Sequence, residues 1–191
     1  MNSDLDTRLG WPPELKFLLD RYPREQWMAH ANLGQMARFW LQRHSMFREL
    51  GAALNDATTK FREGAVTPQE FHPWFAPRLQ FFLQQLHEHH HVEDAHYFPI
   101  LRAAESRLIN GFEVLENDHE VLHAGIMKSV ESANEFLKSL HAGDDRARFT
   151  GDSYADVNAD LLKKMLRHLD DEEDLIIPLI LDRSEQKLGV A

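Results

Sequence analysis

The sequence predicts an all-α protein, an up-down-up-down bundle of four helices made of two duplicated helical hairpins. Apolar residues recur at the three- and four-residue spacing of amphipathic helices along most of the chain. No stretch shows the sustained alternation of apolar and polar residues that strands require. In addition, residues with metal-binding side chains match one another when the sequence is shifted by 79 positions. A two-helix unit is therefore expected to occur twice.

The first predicted hairpin contains two long helices. Its first helix spans about 25–63 and ends before Gly64, a residue type that commonly terminates helices. Its second helix spans about 68–104, because Thr67 is a good N-cap that is followed by a proline and a capping-box acid. Two prolines within its first ten residues predict either a kink or a separate short helix there.

The second predicted hairpin repeats this arrangement. Its first helix spans about 107–142, with Ser106 as the N-cap and Gly143 at the C-terminal end. A charged linker follows, which includes Asp144 and Asp145. The last helix begins near Asp152 and continues to about residue 182.

The domain organisation is expected to be simple. A chain of 191 residues is long enough to bury one continuous core, so a single domain is predicted. Residues 1–24 form an N-terminal extension, 25–182 the helical bundle, and 183–191 a frayed polar tail. The N-terminus resembles neither a secretory signal nor a transit peptide, and no apolar run is long enough for a membrane helix. A cytoplasmic location without membrane contact is therefore expected.

Composition narrows the chemistry. A formal charge of -10, from 21 basic and 31 acidic residues, opposes binding to nucleic-acid phosphates. The absence of cysteine excludes disulfides, thiolate-bound zinc, cysteine-held iron-sulfur clusters and cysteine nucleophiles. Any bound metal must therefore be held by nitrogen and oxygen, and the 12 histidines supply the nitrogen.

The duplicated positions carry the candidate metal ligands. The shift superimposes His44 on His123, His89 on His168, and Glu93 on Glu172. Residues four apart share one face of a helix, so the sequence contains three pairs that point two ligands the same way. These pairs are His89 with Glu93, His119 with His123, and His168 with Glu172. Counting residues from each connection places all of them, with His44, at one level of the bundle.

The other polar residues of this region are given simpler roles. One such His-Glu pair alone would be a solvated surface pair, but three pairs and His44 at one level favour metal binding. His90 with Asp94 is the runner-up pair in the local histidine run. The remaining histidines are expected at the surface or at helix caps: His30, His72, His87, His91, His96 and His141. The acids Asp170, Asp171, Glu173 and Asp174 are expected to form a solvated face, with one of them supporting a ligand.

Five imidazoles and two carboxylates are more than one ion uses, so two ions are predicted. Nitrogen and carboxylate ligands favour iron over manganese or zinc. One ion would have three histidines, His119, His123 and His168, and the other only His44 and His89. The second ion would keep an open position for a diatomic molecule or peroxide, in a dry pocket lined by Met36, Trp40 and Phe47.

These motifs resemble the hemerythrin-like family, also called the HHE cation-binding domain, over about residues 25–182. The resemblance implies two irons joined by an oxygen bridge, with oxygen binding at a five-coordinate iron. In the family's oxygen carriers the last carboxylate lies five residues after the fourth-helix histidine, which is Glu173 here, whereas the repeat favours Glu172. Carried over by position, the implied ligands are His44, His89, Glu93, His119, His123, His168 and Glu172.

Three functions fit such a site. The first is reversible binding of oxygen or a related small ligand, for storage, delivery or sensing. The second is an enzyme that acts on hydrogen peroxide or nitric oxide, for which Tyr97 and His90 are the nearest candidate proton donors in the sequence. The third is a regulatory module whose metal or oxygen occupancy is read by an unidentified protein partner.

Overall fold

A computed structural model describes residues 4–142 and 146–191, and within these ranges it contains helices and no strand. The all-α prediction is confirmed. The predicted helix end at Gly143 and the linker acids Asp144 and Asp145 lie outside the described residues. In chain order the helices are α1 (Pro13–Arg21), α2 (Arg24–Trp27), α3 (Gln35–Arg62), α4 (Pro68–Val92), a π-helix (Glu93–Tyr97), α5 (Phe98–Ala104), a 3-10 turn (Ser106–Leu108), α6 (Ile109–Ala142), α7 (Ala147–Arg183) and α8 (Glu185–Leu188).

Local sequence explains several helix boundaries. Helix α4 begins with the predicted capping box, in which the Glu70 N–H donates to Thr67 Oγ1 at 3.3 Å and the Thr67 N–H donates to Glu70 Oε2 at 2.9 Å. Pro73 and Pro77 both lie inside α4, which continues past them as one helix. Helix α3 begins later than predicted, at Gln35.

The second predicted helix contains a widened turn beside the candidate ligands. Between α4 and α5, residues Glu93–Tyr97 form a π-helix, and the Phe98 N–H donates to the carbonyl of Glu93 five residues earlier. Pro99 has no N–H and cannot make the α-helical bond to the carbonyl four residues before it, so the α-helical ladder is interrupted here. Pro178 lies 79 positions after Pro99 and occupies the equivalent place in the repeat. It lies inside α7, which continues to Arg183. Neither proline ends the helical path.

The chain divides into two compact units. The first unit comprises Met1–Ser45, His89–Glu120 and Lys164–Ala191. Residues from α1, from α2 and from the segment before α1 are buried in its core, among them Leu15, Trp27 and Trp11. The residues predicted to fray at the C-terminus instead form α8, where Glu185 and Leu188 are buried. Residues near both termini therefore belong to the packed interior of this unit.

The second unit comprises Met46–Glu88 and Val121–Lys163 and has an aromatic core. The rings of Phe71 and Phe75 stack with centroids 4.5 Å apart, and the rings of Phe136 and Tyr154 stack at 5.9 Å. A groove of about 700 Å³ lies on this unit between residues of α4 and α6. No helix in the described ranges is long and apolar enough to cross a membrane.

Candidate metal centre

Six of the seven predicted ligands come together in the first unit, from α3, α4, the π-helix, α6 and α7. Five of them are almost completely inaccessible to solvent, and the side chain of His89 is 9% exposed. Together with His90, these six residues form two clusters, and within each cluster the donor atoms lie within 4.8 Å of one another. The two-histidine group contains His44 and His89 together with Glu93 and Glu172, and the three-histidine group contains His90, His119 and His168.

In the two-histidine group, four side-chain atoms converge. The Nε2 atoms of His44 and His89 lie 3.1 Å apart. His89 Nε2 lies 2.9 Å from Glu93 Oε1, and His44 Nε2 lies 3.5 Å from Glu172 Oε1. Each imidazole therefore presents Nε2 to a carboxylate oxygen, an arrangement that could hold one cation.

The other oxygen of each carboxylate faces the three-histidine group. His119 Nε2 lies 3.6 Å from Glu93 Oε2, and His168 Nε2 lies 3.2 Å from Glu172 Oε2. The Nε2 atoms of His119 and His168 are themselves 3.2 Å apart. Glu93 and Glu172 thus each direct one oxygen to either group. Two carboxylates placed in this way are suited to bridge a pair of cations.

Buried polar atoms without hydrogen-bond partners support the interpretation of the two groups as a metal centre. Among the described residues, four buried atoms at the centre have no hydrogen-bond partner: His90 Nε2, Glu93 Oε1, Glu93 Oε2 and Glu172 Oε2. Burying such atoms without compensation is unfavourable by about 1–3 kcal/mol each. One cation in each group would satisfy all four atoms, so the side chains fit a metal centre.

His90 occupies the place that the sequence analysis gave to His123. The His90 ring stacks on His119 with centroids 4.3 Å apart, lies 5.2 Å from His168, and is 5% exposed. His123 is an exposed residue of the second unit, where it lines the groove with its ring 5.0 Å from that of His87. Neither group includes His123. The third imidazole therefore comes from the histidine run in α4.

Acidic side chains hold the outward-facing nitrogens of three imidazoles. His44 Nδ1 lies 2.9 Å from Glu173 Oε1, and His119 Nδ1 lies 2.8 Å from Asp94 Oδ1. His168 Nδ1 lies 3.3 Å from Asp118 Oδ2. When Nδ1–H donates to a carboxylate, Nε2 is left with a free lone pair directed at the centre.

These contacts distinguish the acidic residues whose roles the sequence left open. Glu173 binds the back of His44, while Glu172 faces both groups, so the two acids have different positions. Asp94 pairs with His119 instead of His90. The prediction of a solvated acidic face is wrong for Asp171 and Glu173, which are 0% and 3% exposed. Ion pairs compensate both charges, from the buried Arg8 to Asp171 and from Arg24 to Glu173.

Trp40 is the predicted pocket residue that touches the centre directly. Its indole N–H donates to Glu172 Oε1 at 2.5 Å, and its ring lies 6.1 Å from that of His89. The Trp40 ring also contacts that of Tyr97 edge to face, with centroids 5.0 Å apart. Met36 packs against the apolar core of the first unit, and Phe47 is a buried residue of the second unit beside Phe82. Of the three predicted pocket residues, Trp40 is therefore the one that lies beside the two-histidine group.

Burial sets the protonation of the centre. Desolvation and neighbouring imidazoles lower the pKa values of His89 and His90 well below the ordinary histidine value, which keeps these rings neutral. Burial also lowers the pKa of His168, but the facing carboxylates of Asp118 and Glu172 outweigh this effect and raise that pKa to about 9. Desolvation and the nearby Glu172 raise the pKa of Glu93 well above its usual range. Binding a cation would require His168 and Glu93 to release their protons.

Comparison with known proteins agrees with this donor set. Residues 35–180 match the family model described as the hemerythrin HHE cation binding domain. The match includes every side chain of the two groups. Searches among curated proteins and among solved structures gave no match. Because the family model spans most of the sequence and contains the whole centre, the chain belongs to the hemerythrin HHE cation-binding family.

Proposed function

We propose that this chain is a non-haem di-iron protein that binds oxygen or a related small ligand at one of its two metal positions. The proposal depends on one observation: two clusters of imidazoles share Glu93 and Glu172, with one oxygen of each carboxylate facing either cluster. Carboxylates that bridge two ions between helices are typical of di-iron and di-manganese proteins.

The proposed ligand sets are unequal. His90, His119 and His168 bind one ion, His44 and His89 bind the other, and both carboxylates are shared. The first ion thus receives three nitrogens and the second only two. An ion with fewer protein ligands keeps a position for an exogenous molecule. We therefore assign small-ligand binding to the two-histidine side, beside Trp40.

Iron is the proposed metal because the donors are nitrogen and carboxylate oxygen and the sequence contains no cysteine. Manganese and zinc accept similar donors and are the less favoured choices. When bound, a pair of irons would supply reversible electron transfer to a small ligand. The protein would keep His89 and His90 neutral by burial, which also excludes water from the centre. The carboxylates of Glu173, Asp94 and Asp118 would orient the other three imidazoles by accepting from their Nδ1–H groups.

The predicted fold is part of the same proposal. The ligands come from four long helical segments, α3, α4 with its π-helical continuation, α6 and α7. An up-down-up-down arrangement of these segments would bring one ligand set from each hairpin to a shared centre.

The test begins with metal content. Protein purified without added chelator should contain two irons per chain, and the reduced form should develop a visible charge-transfer band in oxygen that disappears when oxygen is removed. One metal or none per chain would contradict the two-ion assignment. Irreversible oxidation in every cycle would contradict oxygen binding.

Two further measurements separate the remaining functions. Sustained oxygen evolution from hydrogen peroxide, or consumption of nitric oxide, that His89→Ala abolishes would replace the binding function with an enzymatic one. If the protein binds iron but does not bind oxygen and acts on neither hydrogen peroxide nor nitric oxide, regulation through a partner is the favoured function. In that case, chelation should lower the melting temperature strongly, because bound metal stabilises the folded state.

A further inference from the structure

The N-terminal segment, defined here as residues 4–34, lies before the part of the chain that matches the family model. Two of its arginines reach acids that hold imidazoles of the centre. Arg8 contacts Asp118, which faces His168. Arg24 contacts Glu173, which faces His44. Each metal position is thus connected to this segment through one acid.

The first connection is fully buried. The Arg8 side chain is 2% exposed, and its guanidinium donates both amino groups to the Asp118 carboxylate, with one contact at 3.2 Å. Its Nε donates to Asp171 Oδ2 at 2.7 Å. Trp11 strengthens the attachment by donating its indole N–H to the backbone carbonyl of Asp171 at 2.6 Å. Asp118 then lies 3.3 Å from Nδ1 of His168.

The second connection divides one carboxylate between two partners. Arg24 Nη1 donates to Glu173 Oε2 at 2.8 Å, while Glu173 Oε1 lies 2.9 Å from Nδ1 of His44. The same guanidinium donates to Asp174 at 2.7 Å and to the carbonyl of Asp170 at 3.0 Å. Arg24 is therefore anchored at three points on α7.

We propose that the N-terminal segment is a working part of the metal centre, with Arg8 and Arg24 as positioning residues for different metal positions. Arg8 acts through Asp118 on His168 in the three-histidine group, and Arg24 acts through Glu173 on His44 in the two-histidine group. This inference rests on the proposed two-metal function.

The physical reason is the orientation of the imidazoles. The Arg8 guanidinium holds both oxygens of Asp118, which fixes that carboxylate in one plane. Arg24 holds one oxygen of Glu173 and is itself fixed by its two further contacts on α7. Each fixed carboxylate then holds an Nδ1 proton so that Nε2 faces the cation. Loss of the guanidinium leaves the carboxylate free to rotate and weakens its hold on the ring. Each arginine should therefore affect its own metal position more than the other.

Metal binding and docking of the segment are consequently linked. A segment that favours the metal-binding orientation of the rings must itself be favoured when metal is bound, by the same factor. Removal of metal should then increase hydrogen exchange at residues 4–27 more in wild type than in Arg8→Gln or Arg24→Gln. A segment that only covers apolar surface would respond equally in all three proteins.

The test compares Arg8→Gln and Arg24→Gln with a matched control, Arg21→Gln. Arg21 belongs to the same segment, but its side chain is 65% exposed and pairs with Asp182 at 3.0 Å, away from any imidazole of the centre. Metal-free protein is titrated with Co²⁺ and followed by visible absorption. Each of the first two variants should bind one Co²⁺ about 10–100-fold more weakly than wild type, and the control should bind within about twofold.

Double variants identify the weakened position. Arg24→Gln should weaken binding little further when His44→Ala is already present, but should add its full effect to His168→Ala. Arg8→Gln should show the reverse pattern. Arg24→Lys, which keeps the charge but loses the fork, should recover only part of the affinity. The Arg24 side chain is 40% exposed, so Arg24→Gln is expected to fold. The Arg24 variants therefore test the proposal even if Arg8→Gln fails to fold.

Three outcomes would overturn the inference: wild-type affinity in both arginine variants, equal weakening of both positions by either variant, or a control that behaves like Arg24→Gln. These outcomes require wild-type protein that binds two Co²⁺ per chain. Wild-type protein that binds fewer would instead refute the two-metal function on which the inference rests.

Discussion

The sequence-based and structure-based ligand sets disagree on the third imidazole. It is His123 in the sequence-based set and His90 in the structure-based set. The decisive comparison is His90→Leu with His123→Leu as its matched control. In metal-free protein, His90→Leu removes a buried ring whose Nε2 has no hydrogen-bond partner. We expect its metal-free stability to equal that of wild type or to rise by up to about 1–3 kcal/mol.

The stabilisation that bound metal adds should be smaller in this variant. Loss of one of three imidazoles should lower metal affinity by at least about 100-fold, the upper range seen when supporting residues alone are removed. At a given saturating metal concentration, this loss reduces the metal-dependent stabilisation by about 2.7 kcal/mol. For a chain of this size, the metal-dependent increase in melting temperature should therefore be about 5–11 °C smaller than in wild type. His123 is exposed, so His123→Leu should change stability by less than about 0.5 kcal/mol in both states.

Differential scanning calorimetry of metal-free and iron-loaded samples measures both effects, and metal analysis gives the stoichiometry. The reasoning would be refuted if His123→Leu removed the metal-dependent increase in melting temperature while His90→Leu retained it. Equal losses in both variants would show that both histidines contribute.

Three further predictions concern protons, packing and acid stability. Metal uptake at pH 7 should release a proton from His168, whose pKa is about 9, and this release should disappear above that pH; calorimetry in two buffers measures it, and constant release from pH 6 to 10 would contradict it. Gly34→Ala should destabilise the protein by about 0.5–2 kcal/mol in urea unfolding, because the added Cβ would overlap the Glu185 carboxylate that accepts the Ala37 N–H at 2.8 Å; additivity with Glu185→Ala would argue against this cause. Hydrogen bonds from Arg107 lower the pKa of Glu105 from 4.5 to about 2, so its contribution is present above pH 4.5 and is lost as the pH falls to 2. Glu105→Gln should therefore cost about 1–2 kcal/mol at pH 7 and little at pH 2, and an equal cost at both pH values would refute the ionic explanation.

Much of the centre could be predicted because helical spacing is a local property. His89 with Glu93, and His168 with Glu172, lie four residues apart, so each pair faces one direction on any regular helix. The Thr67 capping box and the helix that follows it were predictable for the same reason. These features require only neighbouring residues.

Register between helices was harder to predict. His119 and His123 share a helical face, so spacing alone cannot decide which of them lies level with His168. The structure pairs His119 with His168, as it pairs His44 with His89. The structural counterpart of His44 is thus one helical turn before the residue selected by the 79-residue shift. His44 and His89 are 45 positions apart in the sequence, whereas His119 and His168 are 49 apart, so the paired histidines do not follow the simple repeat.

The ion pairs behind the imidazoles could not be predicted from the local sequence. Arg8 contacts Asp171 across 163 positions of sequence, and Arg24 contacts Glu173 across 149. A short acidic run in α7 has the composition of a solvated surface whether or not distant arginines cover it. Burial by residues far away in the chain therefore decided the role of these acids.

The indole of Trp40 makes the two oxygens of Glu172 chemically different. Oε1 accepts a hydrogen bond from the ring, whereas Oε2 has no such donor. A hydrogen bond withdraws electron density from the oxygen that accepts it, so Oε1 should be the weaker Lewis base. With two irons bound, unequal nitrogen counts and unequal carboxylate donation should give two distinct quadrupole doublets in a Mössbauer spectrum.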